Sequence, residues 1–283
     1  MNLPDPKTLP GSWLRRTTTR RTLLRNGAYL GPLLLLGPEA ASVVRAGARS
    51  IALPTPAARG AQTVPACVLT PVLTEGPYFV DEQIYRTDIR SDPTTGEVKQ
   101  GVPLSLTLHY SAVGNNACTP LAGAVVDIWQ CDALGRYSDV QDPHFNTKGQ
   151  KFLRGTQHTD ENGTVNFVTI YPGWYSGRTV HIHMKVRTDP GSTTGYESNT
   201  QLFFDDALSD AVFTLQPYAS KGPRDTRNAD DNIFQQSDGA TLLDIQLAPD
   251  GQSYMATISI GVDLSAPPQP ASPIGPARPG SAG

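Results

Sequence analysis

Apolar residues recur at every second position in several short runs of this chain, and no long amphipathic helix is evident. Residues 104–110 alternate strictly, with Leu104, Leu106, Leu108 and Tyr110 on one face and Ser105, Thr107 and His109 on the other. Residues 124–129 form a short apolar, β-branched run, and residues 164–170 and 179–187 follow the same style. Turn chemistry separates the runs. In Asp160-Glu161-Asn162-Gly163 and Asp189-Pro190-Gly191, glycine supplies a positive φ and proline a fixed one, and Asp250-Gly251 divides two late strand candidates. Strands at this spacing predict an all-β fold, a β-sandwich.

Composition agrees with short strands and tight turns: 26 Gly and 25 Pro accompany only 17% charged and 7% aromatic residues in 283. The ends read differently. Before residue 60, Lys7, Arg15, Arg16, Arg20, Arg21, Arg25, Arg45, Arg49 and Arg59 face only Asp5 and Glu39. Within this basic arm, Arg20-Arg21 precedes an apolar stretch at residues 28–36 and then small residues, an arrangement that resembles a twin-arginine export signal. The stretch is broken by Gly31, Pro32, Gly37 and Pro38 and is shorter than the roughly 20 residues of a membrane span, so no stable span is expected. Residues 1–62 are therefore expected to be signal and Ala/Pro-rich linker, 63–265 the folded domain, and 266–283 a Pro-rich disordered tail. Removing the arm's 9 basic and 2 acidic residues from totals of 23 and 26 leaves 14 against 24, a net of about −10. Such a domain repels nucleic acid and anionic membranes. In an oxidising compartment, Cys67, Cys118 and Cys131 allow one disulfide and one thiol, with the pairing open and a lipid anchor at Cys67 only weakly suggested.

The candidate chemistry lies between residues 137 and 183. His181-Ile182-His183 sits in a strand-like run, so both imidazoles point to one face and Ile182 to the other. Alone, such a pair is as readily two surface histidines. Just upstream, however, Tyr171-Pro172-Gly173-Trp174-Tyr175-Ser176-Gly177-Arg178 is a loop dense in aromatic and turn residues that leads directly into the histidines. Further back, Asp132-Ala133-Leu134-Gly135-Arg136 ends an apolar strand in a glycine turn and presents Tyr137. Most tyrosines pack with a satisfied hydroxyl. A phenol with an ordinary pKa near 10 becomes a ligand at neutral pH only for a strongly acidic metal, and ferric iron is such a metal. Zinc favours Cys, His or carboxylate, ferrous oxygenases use two His and a carboxylate, and no acidic residue is obviously placed beside the pair.

Together, Gly135-Arg136-Tyr137, Pro172-Gly173-Trp174-Tyr175, Arg178, His181-x-His183 and Thr200-Gln201-Leu202-Phe203-Phe204 resemble the intradiol ring-cleavage dioxygenases. The resemblance covers residues 69–206. Its short connection between Tyr175 and His181 is similar to the exported, single-chain branch. It implies the family's β-sandwich and one Fe(III) per chain, with Tyr137 and His183 as equatorial ligands and Tyr175 and His181 as axial ones. It also implies a small aromatic diol and O2 as partners, and ring cleavage between the two hydroxyl-bearing carbons to a muconate-type diacid. In that reaction Tyr175 would leave the metal and act as a base, Arg178 would stabilise charge on the attacked ring, and Gln201 would hold Arg178 or the substrate. Gly76, Pro77 and Tyr78, in Thr74-Glu75-Gly76-Pro77-Tyr78-Phe79, would border the substrate pocket. His109, His144 and His158 fit no ligand spacing. The competing expectation is an exported β-sandwich binding module without catalysis. Which catechol is cleaved, and whether the chain forms a homodimer, stay open at this level.

Overall fold

The alternating run at residues 104–110 becomes the organising strand of the larger sheet. The computed structural model describes residues 52–57, 68–114, 117–190 and 195–266. The basic arm with its export motif, Cys67 and the tail from residue 267 lie outside the described residues. Strand β1 (Pro103–Gly114) pairs in parallel with β11 (Tyr254–Val262) on one side. Its other side pairs antiparallel with β7 (Thr164–Ile170) and then β2 (Ala117–Pro120), while β10 (Ile245–Leu247) extends the sheet beyond β11. The second sheet is antiparallel throughout, in the order β6 (Arg154–His158), β3 (Val125–Trp129), β8 (His181–Arg187), β9 (Glu197–Phe203). A small hairpin, β4 (Gln141–Asp142) and β5 (Phe145–Asn146), lies between β3 and β6 in the chain. The helices α1 (Asp206–Val212) and α2 (Asn232–Gln236) are both short and start at Asp residues, Asp205 and Asp231, whose side chains accept first-turn amides.

The period-two pattern explains why the sheets stack. Leu104, Leu106, Leu108 and Tyr110 of β1, with Val165 and Phe167 of β7, meet Val126, Ile128, Ile182, Met184, Val186 and Leu202 of the second sheet in one buried cluster. Across this interface the Tyr110 hydroxyl donates to Met184 Sδ at 3.4 Å. In β8, Ile182, Met184 and Val186 therefore face inward while His181, His183, Lys185 and Arg187 face the opposite way, yet every residue of the strand is buried.

The outer face is covered by the segment at residues 71–90. It is anchored at the β9 edge, where Leu73 N donates to Asn199 O (2.9 Å), and at the β6 edge, where Thr156 N donates to Ile84 O (2.8 Å). Between these anchors Glu75 pairs with Lys185 (2.5 Å) and Asp81 with Arg187 (2.9 Å), while Asp127 of β3 takes the second arm of Arg187 (2.5 Å). Covering this face requires such pairing, because a buried charge without a partner is costly.

Two details differ from the local pattern. The strand expected from residue 179 begins at His181, because Thr179 N donates to Asp231 (2.8 Å) and so leaves the ladder, while its hydroxyl donates to Asn228 (2.6 Å). Within the stretch expected to be a linker, Leu53 packs on the core and Pro54 O accepts from the Tyr254 hydroxyl at 2.5 Å, so contact with the domain begins upstream of residue 63. Cys118 is disulfide-bonded and Cys131 is a buried thiol. Among the described residues no helix is long and apolar enough to cross a membrane.

Leu106 is 1% exposed at the centre of the sandwich. Leu106→Ala is expected to destabilise the domain by about 2–5 kcal/mol, read as a lower denaturant midpoint with an unchanged slope; a midpoint equal to wild type would place Leu106 outside the cooperative core.

Candidate metal centre

In-register pairing builds the floor of the site. Arg154, Trp129, His183 and Gln201 lie side by side on the outer face, one from each strand of the second sheet. His183 is wholly buried, its ring stacked on Trp129 at 5.0 Å and 7°. At its Cε1 edge lies Gly76, in the left-handed region at φ 75°, where an added Cβ would stand 2.8 Å from His183 Cε1. A side chain at residue 76 would therefore push the imidazole aside. His183 Nδ1 has no hydrogen-bond partner among the described residues, so packing orients this ring. His181 is oriented differently. Its Nδ1 donates to Thr179 O at 2.7 Å, which leaves Nε2 as a bare lone pair turned into the site.

The two tyrosines arrive on loops that cross over this floor. The turn at residues 132–136 is closed by Gly135 N donating to Asp132 O (2.9 Å) and by Asp132 Oδ1, which accepts from Leu134 N and Arg136 N (2.9 and 3.0 Å). Tyr137 follows, 1% exposed. Tyr175 begins a second tight turn in which Arg178 N donates to Tyr175 O (3.3 Å), so Tyr175 and Arg178 enter the site together. Around His181 Nε2 lie the Tyr137 hydroxyl at 3.3 Å, the Tyr175 hydroxyl at 3.2 Å, His183 Nε2 at 3.0 Å and Arg178 Nη1 at 3.5 Å. One lone pair cannot satisfy four such neighbours. A cation held by His181 Nε2, His183 Nε2 and the two phenol oxygens would engage all four of those donor atoms.

Electrostatics narrow the choice of cation. Burial holds His181 neutral, pushed down to about 3, and takes His183 well below its ordinary range with neighbouring His181 adding to the effect. Both imidazoles thus offer nitrogen lone pairs at neutral pH. Burial opposes phenolate formation, raising Tyr137 well above its ordinary value and Tyr175 to about 12. Displacing those protons calls for a strongly polarising ion. Among the described residues no group of three or more His, Cys, Asp or Glu side chains could hold a metal, so a metal at this point would draw on the phenol oxygens as well. That donor set fits ferric iron and does not fit a zinc or ferrous facial site.

Arg178 is fixed on two sides: Nε donates to Asp231 Oδ2 (2.8 Å) and Nη2 to Gln201 Oε1 (2.6 Å). Gln201, wholly buried, donates in turn to Thr74 O at 2.9 Å, tying the arginine to the covering segment. Although burial acts to raise it, Asp231 sits below the ordinary carboxylate range because Arg178 and the amides of Phe234 and Thr179 stabilise its charge. Pro77 is exposed beside buried Gly76. Tyr78 stacks on Tyr137 at 4.5 Å and donates to Asp142 Oδ2 at 2.9 Å. Burial and this carboxylate raise the Tyr78 pKa, so it stays a neutral phenol. The other histidines lie apart: His109 on β1 bonds Thr164 Oγ1 of β7, His158 stacks on Tyr85 and His144 is exposed.

Local pattern did not reveal Trp129, Thr179, Asp142 or Asp231. Trp129 reads as one more apolar strand residue, and Thr179 acts through its carbonyl. Asp231 lies 53 residues from Arg178, and the only local signal it carries is that of a helix cap.

Comparison with known proteins identifies the family. Residues 74–219 match the Dioxygenase family model Dioxygenase_C. The chain is 32% identical over 142 residues to the protocatechuate 3,4-dioxygenase beta chain of Burkholderia cepacia, covering 46% of this chain and 59% of that one. It is 31% identical over 143 residues to the catechol 1,2-dioxygenase of Candida albicans, covering 42% and 43% respectively. The chain thus spans about half the length of these curated relatives. Among solved structures, an intradiol ring-cleavage dioxygenase from Tetranychus urticae superposes with a TM-score of 0.63 at 32% identity, covering 72% of this chain and 98% of the other. The fold, the convergent tyrosine and histidine donors and these matches place the chain in the intradiol ring-cleavage dioxygenase family.

Proposed function

We propose that this protein is a non-haem Fe(III) dioxygenase that cleaves a catechol between its two hydroxyl-bearing carbons, giving a muconate-type diacid. The observation that carries this is the convergence of two phenol oxygens and two neutral imidazoles on one point, with a guanidinium at its edge. Tyr137, Tyr175, His181 and His183 would hold the ion. When bound, ferric iron supplies Lewis acidity that draws electron density from the catecholate and opens it to dioxygen.

The protein's own residues divide the remaining work. Tyr175 is only partly buried, unlike Tyr137, and sits at the open edge of the site beside Arg178. With a metal held here, Tyr175 would be the residue suited to act as base, its phenolate oxygen accepting a proton from the substrate's second hydroxyl. Arg178, already oriented by Asp231 and Gln201, presents a fixed positive charge to the ring carbon on which negative charge develops. Tyr78, with Gly76 and Pro77, would form the wall against which the ring lies. The curated relatives act on protocatechuate and catechol by name, and catechols of this class are the substrates we propose. We further propose that the chain is exported, a reading supported by Arg20-Arg21 and the apolar run that follows.

Oxygen uptake across a panel of catechols, with ring-opened products identified, tests the activity. The purified protein is expected to be burgundy from tyrosinate-to-iron charge transfer and to bleach when iron is chelated; a colourless preparation carrying stoichiometric zinc, with no oxygen uptake, contradicts the proposal. Tyr175→Phe is expected to retain iron through the three other ligands but to turn over slowly, whereas complete loss of iron would exclude Tyr175 as the releasable ligand. For Arg178→Ala, a fall in kcat of about 100-fold or more is expected with colour intact. An unchanged kcat would remove Arg178 from the chemistry.

A further inference from the structure

Lys221 lies on a short 3-10 turn, Tyr218–Lys221, two residues beyond the segment that matches the family model. Its ammonium does not point to solvent. Nζ donates to Leu134 O at 2.7 Å and also to Trp174 O, and lies 4.6 Å from the centre of the Trp174 indole. Leu134 stands in the turn that presents Tyr137, and Trp174 immediately precedes Tyr175. A single cation therefore grips both tyrosine-bearing loops.

The surroundings make this a built joint. Tyr218 donates to Tyr171 O at 2.7 Å and accepts from Val102 N at 3.0 Å, which anchors the base of the turn. Trp174 Nε1 donates to Gly222 O at 3.3 Å, just beyond Lys221. Between the loops, Gly173 N donates to Asp132 O at 3.2 Å. Gly135, at φ 82°, has no room for a Cβ, which would collide with both Trp174 O and Lys221 Nζ. The backbones of the two loops are thus in direct contact, and the lysine closes the joint from outside.

We propose that Lys221 is a positioning residue for the metal centre: by bridging the Leu134 and Trp174 carbonyls it sets the spacing of the Tyr137 and Tyr175 phenol oxygens. Its ammonium touches neither substrate nor the reacting atoms. The alternative is a lysine that adds stability and nothing else. A methionine keeps the aliphatic stem and removes both hydrogen bonds, while an arginine can still donate to two carbonyls. The consequences for iron rest on the proposed function; the joint itself does not.

The test compares wild type, Lys221→Met and Lys221→Arg as full-length protein. In metal-free samples, amide exchange at Gly135 and Gly173 is expected to speed up in Lys221→Met and to return towards wild type in Lys221→Arg; unchanged exchange in the methionine variant overturns the proposal. In iron-loaded samples, Lys221→Met is expected to lose iron to a chelator about 10–100-fold faster. Its tyrosinate charge-transfer band should shift and weaken, and kcat should fall with little change in KM for catechol. A variant with a lower melting temperature but the wild-type band, iron retention and kcat shows that the lysine is merely structural and also overturns it. If Lys221→Met does not fold, Lys221→Gln, which can reach only one carbonyl, carries the same comparison. A wild-type protein that takes up no iron defeats the proposed function, and exchange at the two glycines still decides the role of Lys221.

Discussion

The architecture turns on the burial of β8 on both of its faces. Its inward residues, Ile182, Met184 and Val186, stack the two sheets. Its outward residues, His181, His183, Lys185 and Arg187, are polar and must also be removed from water. That second demand makes the segment at residues 71–90 indispensable. It brings Glu75 and Asp81 to neutralise the cations and Gly76 to lie against His183. Paired in this way the charges are tolerated, and each pair also fixes the register of the cover over the strand.

Because the covered face is dry, the chemistry of the site follows from placement more than from unusual residues. Two histidines kept neutral by burial present nitrogen lone pairs beside two phenols that burial keeps protonated, so the donor atoms gathered here carry no charge of their own. The same burial makes the Arg178 charge effective, since it is screened little and held by Asp231 and Gln201 before any substrate arrives. The two tyrosines differ in surroundings. Tyr137 is enclosed by Tyr78 and the cluster of Trp129, Cys131 and Val140, whereas Tyr175 borders the surface. Under the proposed function, that difference would let one tyrosine stay on the metal and the other act as base.

Much of the fold was legible in sequence because strand periodicity is local. The alternation at residues 104–110 and the run at 164–170 correspond to β1 and β7, and the Asp-Gly turn at 250–251 does separate β10 from β11. In the site, His181, His183, Tyr137, Tyr175, Arg178 and Gln201 were legible as candidates from their motifs, and the structure gathers them in one place. What local pattern could not show is that the outward face of β8 is interior. A strand that alternates His, Lys and Arg with apolar residues reads as half-solvated, and only the cover from residues 71–90 makes it interior. Asp231 and Lys221 escaped notice for a related reason: each acts on a loop far from it in sequence, through a carboxylate shared with a helix cap or through two backbone carbonyls.

The sequence by itself determined the strand pattern and the candidate donor side chains, since periodicity and ionisation chemistry belong to residues and their immediate neighbours. Only the tertiary structure decided that Tyr137 and Tyr175 meet the histidine pair within 3.3 Å of one nitrogen, and that this meeting place is buried. Convergence of that kind depends on how β3, β8 and β9 stay in register and on what covers them. Those are consequences of packing between distant segments, and no local run of residues encodes them.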